Sequence, residues 1–135
     1  MSAKGHESIP NDLSARGRQL LKLIADHVRS GRFVAGNQST YLGYKECCIS
    51  LGLAPADADL RWGRFLQPRG LNELNEWTQR HNFPRVTGLI VNQSGDRQYW
   101  PGGDFFSSNG RPDMDGVWWD DQAKKAAQFD WQPFL

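Results

Sequence analysis

Apolar residues recur at helical spacing along much of this chain. Leu13, Leu20, Ile24 and Val28 lie on one stripe, which Leu21 and Leu23 widen, while Lys22 and Arg29 fall on other faces. Asn11 or Asp12 is the expected cap of this first helix, and Gly31 suits its left-handed terminus. A second helix is predicted over Tyr44 to Leu51, with Tyr44, Cys47, Cys48 and Leu51 inward and Gly52 ending it. Leu53-Ala54-Pro55 reads as a turn. Asp57 and Asp59 then favour the start of a third helix carrying Leu60, Trp62, Phe65 and Leu66, which Pro68 stops. A fourth helix is predicted from Leu71 to about His81, with Leu71, Leu74 and Trp77 on one side and Pro84 as its breaker.

The pattern then changes. Val86 to Val91 is apolar and β-branched, as a buried strand should be. Arg97 to Trp100 reads as its partner, joined through the turn-forming run Asn92-Gln93-Ser94-Gly95-Asp96. Phe105 to Gly116 is rich in Ser, Asn, Gly, Asp and Pro and reads as irregular loop. A last helix is predicted from about Val117 to Gln128, started by Asp113 or Asp115. The terminal Phe129, Trp131, Phe134 and Leu135 are expected to dock the tail onto the core over the aromatics near residue 100.

Helix, tight corner, helix, then hairpin is the order of a winged helix-turn-helix. The expected fold is therefore α+β: a winged-helix-like core, a small antiparallel sheet, and a C-terminal helical extension from about residue 104. Met1 to Pro10 is polar and unpatterned and is expected to be a flexible leader to a single domain over residues 11–135.

Charge adds an asymmetry that the net value hides. The formal net charge is +1, but residues 1–70 carry ten Lys and Arg against six Asp and Glu, and residues 71–135 carry six against nine. A basic N-terminal half is what a polyanion would meet. The two cysteines, Cys47 and Cys48, are adjacent, too close on a helix for an unstrained intrachain bond, and suit a reducing cytoplasm. No run of about 18 apolar residues predicts a membrane span, and no early apolar run after a basic start predicts a signal peptide.

Candidate chemistry follows from these placements. In a helix-turn-helix the second helix meets base edges and phosphates. Here it would present Arg61 and Arg64, with Arg69 just beyond, and arginine's planar fork suits both guanine edges and phosphate. Arg18 and Lys22 on the first helix are candidate phosphate contacts, and Arg97 is the one cation of the candidate wing. Asp57, Asp59 and Asp96 oppose that role. Tyr99, Trp100, Phe105, Phe106, Trp118 and Trp119 surround a Gly/Pro-rich stretch and form a candidate protein-binding or base-stacking surface. A thiol nucleophile would need Cys47 or Cys48 beside His27 or His81, whereas thiols on an apolar stripe are usually core. Asp104, Asp113, Asp115, Asp120 and Asp121 are the carboxylates a metal-dependent nuclease would use, but turn formation and capping account for them. Glu73 and Glu76 read as a solvated face. No metal site and no cofactor are expected.

The run Thr40-Tyr41, Gly52, Arg61-Trp62-Gly63-Arg64-Phe65-Leu66, Phe83-Pro84-Arg85-Val86 and Gly95 resembles the winged-helix domain of alkylguanine alkyltransferases and alkyltransferase-like proteins. The resemblance covers about half the chain through short motifs. It implies a DNA-binding scaffold. That family's reactive site is a Pro-Cys-His-Arg run, and Asn82-Phe83-Pro84-Arg85-Val86 holds neither the cysteine nor the histidine. Alkyl transfer is therefore not implied. Trp100-Pro101-Gly102-Gly103-Asp104-Phe105-Phe106 and the Trp131 ending are similar to segments of small bacterial proteins and imply no activity.

The leading expectation is a non-enzymatic cytoplasmic protein that binds double-stranded DNA, with the first helix able to support a homodimer. The alternative is a bacterial or phage protein-interaction module (an inhibitor, immunity or defence component) using the aromatic C-terminal half. A metal-dependent nuclease or hydrolase is the third.

Overall fold

A computed structural model describes residues 12–53 and 61–135. The expected leader, the turn at Pro55 and the helix start at Asp57 and Asp59 lie outside the described residues. The remainder is α+β and mostly helical, with a small two-stranded parallel sheet. Helices α1 (Ala15–Arg29), α2 (Tyr44–Ser50), α3 (Trp62–Leu66), α4 (Leu71–Arg80), α5 (Gly103–Ser108) and α6 (Gly116–Gln128) are joined by 3-10 turns and loops, and strands β1 (Leu42–Gly43) and β2 (Ile90–Val91) form the sheet.

Local chemistry sets the helix ends. Ser14 caps α1, its Oγ accepting from Gly17 N at 3.1 Å. The expected cap, Asp12, instead accepts from Trp77 Nε1 at 3.0 Å and lies 3.1 Å from Arg80 Nη2 and 3.0 Å from His81 Nε2. Burial raises the affinity of Asp12 for a proton, but the bonds from His81, Trp77 and Arg80 outweigh it and hold the carboxyl below its ordinary value. Glu73 is no solvated residue: its carboxylate accepts the Ser14 N–H at 2.7 Å and the Ser14 hydroxyl, pinning α1 to α4. Gly52 ends α2 at φ +73, with Leu53 N donating to Cys48 O at 2.8 Å and Gly52 N to Ile49 O at 3.0 Å. The same geometry ends α4 at Asn82 (φ +55) before the chain reaches Pro84. Asp115 caps α6 by accepting from Trp118 N at 3.2 Å.

The expected antiparallel hairpin is absent. Val86–Leu89 is a 3-10 turn, only Ile90–Val91 is extended, and β2 pairs in parallel with β1 in the register Leu42↔Ile90, Gly43↔Val91. The crossover between the two strands is the α2–α4 segment, as a parallel pair requires. Arg97–Trp100 forms no strand because Gly95 (φ +85) and Tyr99 (φ +65) curl the chain back onto Asn92. Asn92 N and Nδ2 both donate to Trp100 O at 2.9 Å, and Tyr99 N donates to Asn92 O at 2.7 Å. Although Phe105 onward was expected as loop, Gly103–Ser108 is helix α5. Burial of Phe105 and Phe106 drives it, and Gly110 (φ +69) ends it.

One hydrophobic cluster runs from Leu13 to Trp131. Leu20, Leu21 and Ile24 of α1 and Leu74 and Trp77 of α4 are fully buried in it. The C-terminal aromatics dock, but not over the residues near 100. Phe129, Trp131 and Phe134 close around Trp77 and Phe83, with centroid separations of 5.2 Å for Trp77–Phe134 and 5.0 Å for Phe83–Phe129. Trp131 Nε1 donates to Ala126 O at 2.9 Å, satisfying its polar edge inside the cluster.

Gly88 marks the tightest packing on the 3-10 turn. A Cβ there would lie 2.7 Å from Phe105 Cζ and 3.2 Å from Trp119 Cδ1. Gly88→Ala should lower unfolding free energy by about 1–3 kcal/mol through overpacking. Urea denaturation measures it, and an unchanged midpoint would contradict this packing.

Candidate functional site

A groove of about 630 Å³ opens beside α2, α3 and α4. Its volume lies in the range of about 300–1,000 Å³ usual for ligand sites. One lip carries Lys45 at the start of α2, Arg61 just before α3 and Arg64 on α3. All three are exposed, and Lys45 Nζ sits 5.7 Å from the Trp62 ring centroid. The far wall comprises Asn92, Gln93 and Ser94 from the curled loop and Gly102 to Asp104 at the start of α5. Asn72 and Asn75 of α4, Thr87 and Ser108 lie between them.

Tyr44 holds the two sides together. Its ring lies 3.4 Å from where a Cβ on Gly63 would stand, and its hydroxyl accepts from Gly102 N at 2.9 Å. Tyr44 is 6% exposed, and burial pushes its hydroxyl up to about 12 against the opposing pull of the Gly102 N–H. The group therefore stays protonated, and its hydrogen meets no acceptor among the described residues. Gly43 lies under the same residue: a Cβ there would stand 2.6 Å from Gln93 Cγ, so the exposed Gln93 side chain would have to move aside.

The floor is a satisfied polar network. Asn75 Nδ2 donates to Ser108 Oγ at 3.0 Å, and Asn75 Oδ1 accepts from Asn109 Nδ2 at 3.1 Å and Thr87 Oγ1 at 3.4 Å. Arg85 Nε donates to Asn109 Oδ1 at 2.9 Å. Such a network fixes side-chain positions, since breaking any bond leaves a buried polar group unpaired. Gln67 Nε2 donates to Asp104 Oδ2 at 2.6 Å, so the groove's carboxylate is itself engaged.

The structure brings Arg61 and Arg64 together at this groove but separates the other predicted contacts. Arg69 stacks on Phe65, its Cζ 3.8 Å from the ring centroid, and donates to Phe65 O at 2.8 Å. Arg18 donates to Leu13 O at 3.0 Å, and Lys22 pairs with Asp26 at 2.8 Å; neither lines the groove. Arg97 lines it but turns inward, bidentate to Asp113 at 2.9 Å and donating to Pro101 O.

The aromatic surface is largely internal. Phe105, Phe106 and Trp119 are buried, and Tyr99, Trp100 and Trp118 pack against the core. Trp100 and Trp119 lie 4.9 Å apart and Phe105 and Trp118 5.3 Å apart. These rings meet one another because α5 and α6 fold face to face.

The nucleophile and metal candidates find other partners. Burial pushes both Cys47 and Cys48 up in pKa. His27 Nε2 donates to Thr40 O at 2.6 Å, and His81 faces Asp12. Asp113 is held by Arg97, Asp115 by Arg111, Asp120 by Lys124 and Asp121 by Lys125. Among the described residues, no three His, Cys, Asp or Glu converge on one ion position, and no helix is long and apolar enough to cross a membrane.

Sequence reasoning missed Lys45, Gln67, Asn72 and Asn75. The available signal was two asparagines three residues apart inside α4, where that residue is a poor helix former. Compared with protein-family models, curated proteins and solved structures, the chain matches none of them.

Tyr44→Phe should cost about 1 kcal/mol, because Gly102 loses its acceptor. The Tyr44 contribution is complete below the unfolded tyrosine value near pH 10 and is lost as pH rises through about 12. Urea midpoints measured from pH 9 to 11.5 should therefore fall more steeply in the wild type than in the variant. Parallel pH profiles would contradict this placement of Tyr44.

Proposed function

We propose that the protein binds nucleic acid through the cationic lip of the groove. The observation that carries this reading is that the exposed cations Lys45, Arg61 and Arg64 line one groove together with the amides of Asn72, Asn92 and Gln93. Cations on the outside neutralise phosphates and release counterions, while amides and arginine forks inside can meet base edges. In this reading α2, the Gly52 corner and α3 act as a helix-turn-helix, and Asn92–Trp100 acts as a compact wing. Arg61 and Arg64 sit at the start of α3, the end of a recognition helix that reaches base edges. The resemblance to the alkyltransferase winged-helix domain supports the scaffold and carries no chemistry with it. Arg18, Lys22, Arg69 and Arg97 have no direct role, since each is committed to a neighbouring group or lies off the groove.

The test is binding of labelled duplex and single-stranded DNA across a salt series. Affinity should fall steeply with salt. The double charge reversal Arg61→Glu and Arg64→Glu should reduce affinity at least about tenfold and lower the salt slope by about 2. Both side chains are exposed, so the thermal midpoint should move little. Equal affinity and slope for wild type and variant would overturn the assignment.

A further inference from the structure

Phosphate contacts on a convex surface need no cavity, yet behind this cationic lip lies a groove of about 630 Å³. Its contents are those of a site for a planar, hydrogen-bonding anion. The half-buried Trp62 lines the groove with Lys45 Nζ over its ring, 5.7 Å from the centroid. Asn72 and Gln93 both offer amide side chains to the lining, and neither amide is engaged by another described side chain. The Tyr44 hydroxyl offers a donor that burial keeps protonated. With Arg97 paired to Asp113, the lining holds three exposed cations, Lys45, Arg61 and Arg64, against the one carboxylate of Asp104, which accepts from Gln67.

We infer that the groove binds one nucleoside monophosphate as a small-molecule ligand, competing with nucleic acid for the lip. This inference rests on the nucleic-acid reading for the competition and on the groove alone for the binding. The phosphate sits among Lys45, Arg61 and Arg64. The base lies along Trp62, and Asn72 and Gln93 meet its hydrogen-bonding edge. An amide suits that edge because it carries a donor and an acceptor side by side. Stacking on an aromatic ring contributes about 1–3 kcal/mol per base and tolerates any base, so the amides rather than Trp62 select among bases. The Gln93 side chain folds over Gly43, where an added Cβ would displace it.

Isothermal titration with the four common nucleoside monophosphates, the parent nucleosides and inorganic phosphate at matched ionic strength tests this. At least one nucleotide should bind with 1:1 stoichiometry, about tenfold or more tighter than both its nucleoside and phosphate alone. The exposed pair Asn72→Ala and Gln93→Ala should weaken that nucleotide about five- to tenfold, with the thermal midpoint retained as the check on folding. Phosphate binding as well as the nucleotide would overturn the inference, leaving a simple anion site. A 5′-phosphorylated oligonucleotide separates the sources of the same chemistry. Tighter binding of its end than of the mononucleotide would overturn the free-ligand assignment in favour of a strand terminus. DNA binding with no mononucleotide binding overturns this inference and leaves the nucleic-acid reading standing. Mononucleotide binding without DNA binding does the reverse for the groove, and removes the competition.

Discussion

The Tyr44 side chain is the constraint on which the groove depends. It leaves the first turn of α2, passes under Gly63 of α3, and ends on the backbone N–H of Gly102 ahead of α5. One rigid aromatic residue thus sets the separation between the cationic lip and the amide wall. It can do so because it is buried and its hydroxyl oxygen accepts the Gly102 N–H. A buried phenol without a partner would cost a few kcal/mol. Lys45, the next residue, is then turned outward by the helix and joins Arg61 and Arg64 at the lip.

The rest of the chain makes that arrangement stiff. Glu73 ties the cap of α1 to α4, and Asp12 gathers Trp77, Arg80 and His81. The C-terminal aromatics seal the opposite end of α4 around Trp77 and Phe83. With α4 held at both ends, Asn72 and Asn75 are fixed on its groove side. The polar network from Asn75 through Asn109 to Arg85 joins α4 to α5 and the turn before β2. The negative charge of the C-terminal half is spent on local pairs. Asp113, Asp115, Asp120 and Asp121 each pair with a neighbouring cation.

Much of the helical framework was legible from periodicity and terminators. α1, α2, α4 and α6 match their predicted spans because each has an apolar stripe and a clear end, such as Gly31 or Gly52. The Asp115 cap of α6 was likewise readable. The sheet was not. Val86 to Val91 is buried on all sides, so its side chains carry no alternation to separate strand from 3-10 turn. Parallel pairing with Leu42 is a non-local event with no short-range signature. α5 was hidden because Gly103, Ser107 and Ser108 are weak helix formers, and only the burial of Phe105 and Phe106 holds the turn together. Helix geometry put Arg61 and Arg64 near one another, and both line the groove, whereas the pairing of Arg97 with Asp113 is a contact distant in sequence that no local pattern shows. The groove itself joins segments from residue 44 to residue 108 and could only be seen in the fold.

The most direct test of this account is a backbone amide chemical-shift titration of the full chain with a short DNA duplex and a single strand. The account predicts that the perturbed amides cluster on Lys45, Arg61–Leu66, Asn72 and Asn92–Ser94, with α1 and α6 unaffected. Perturbations centred instead on α1 or α6, with the groove silent, would contradict the claim that its cationic lip is the binding surface.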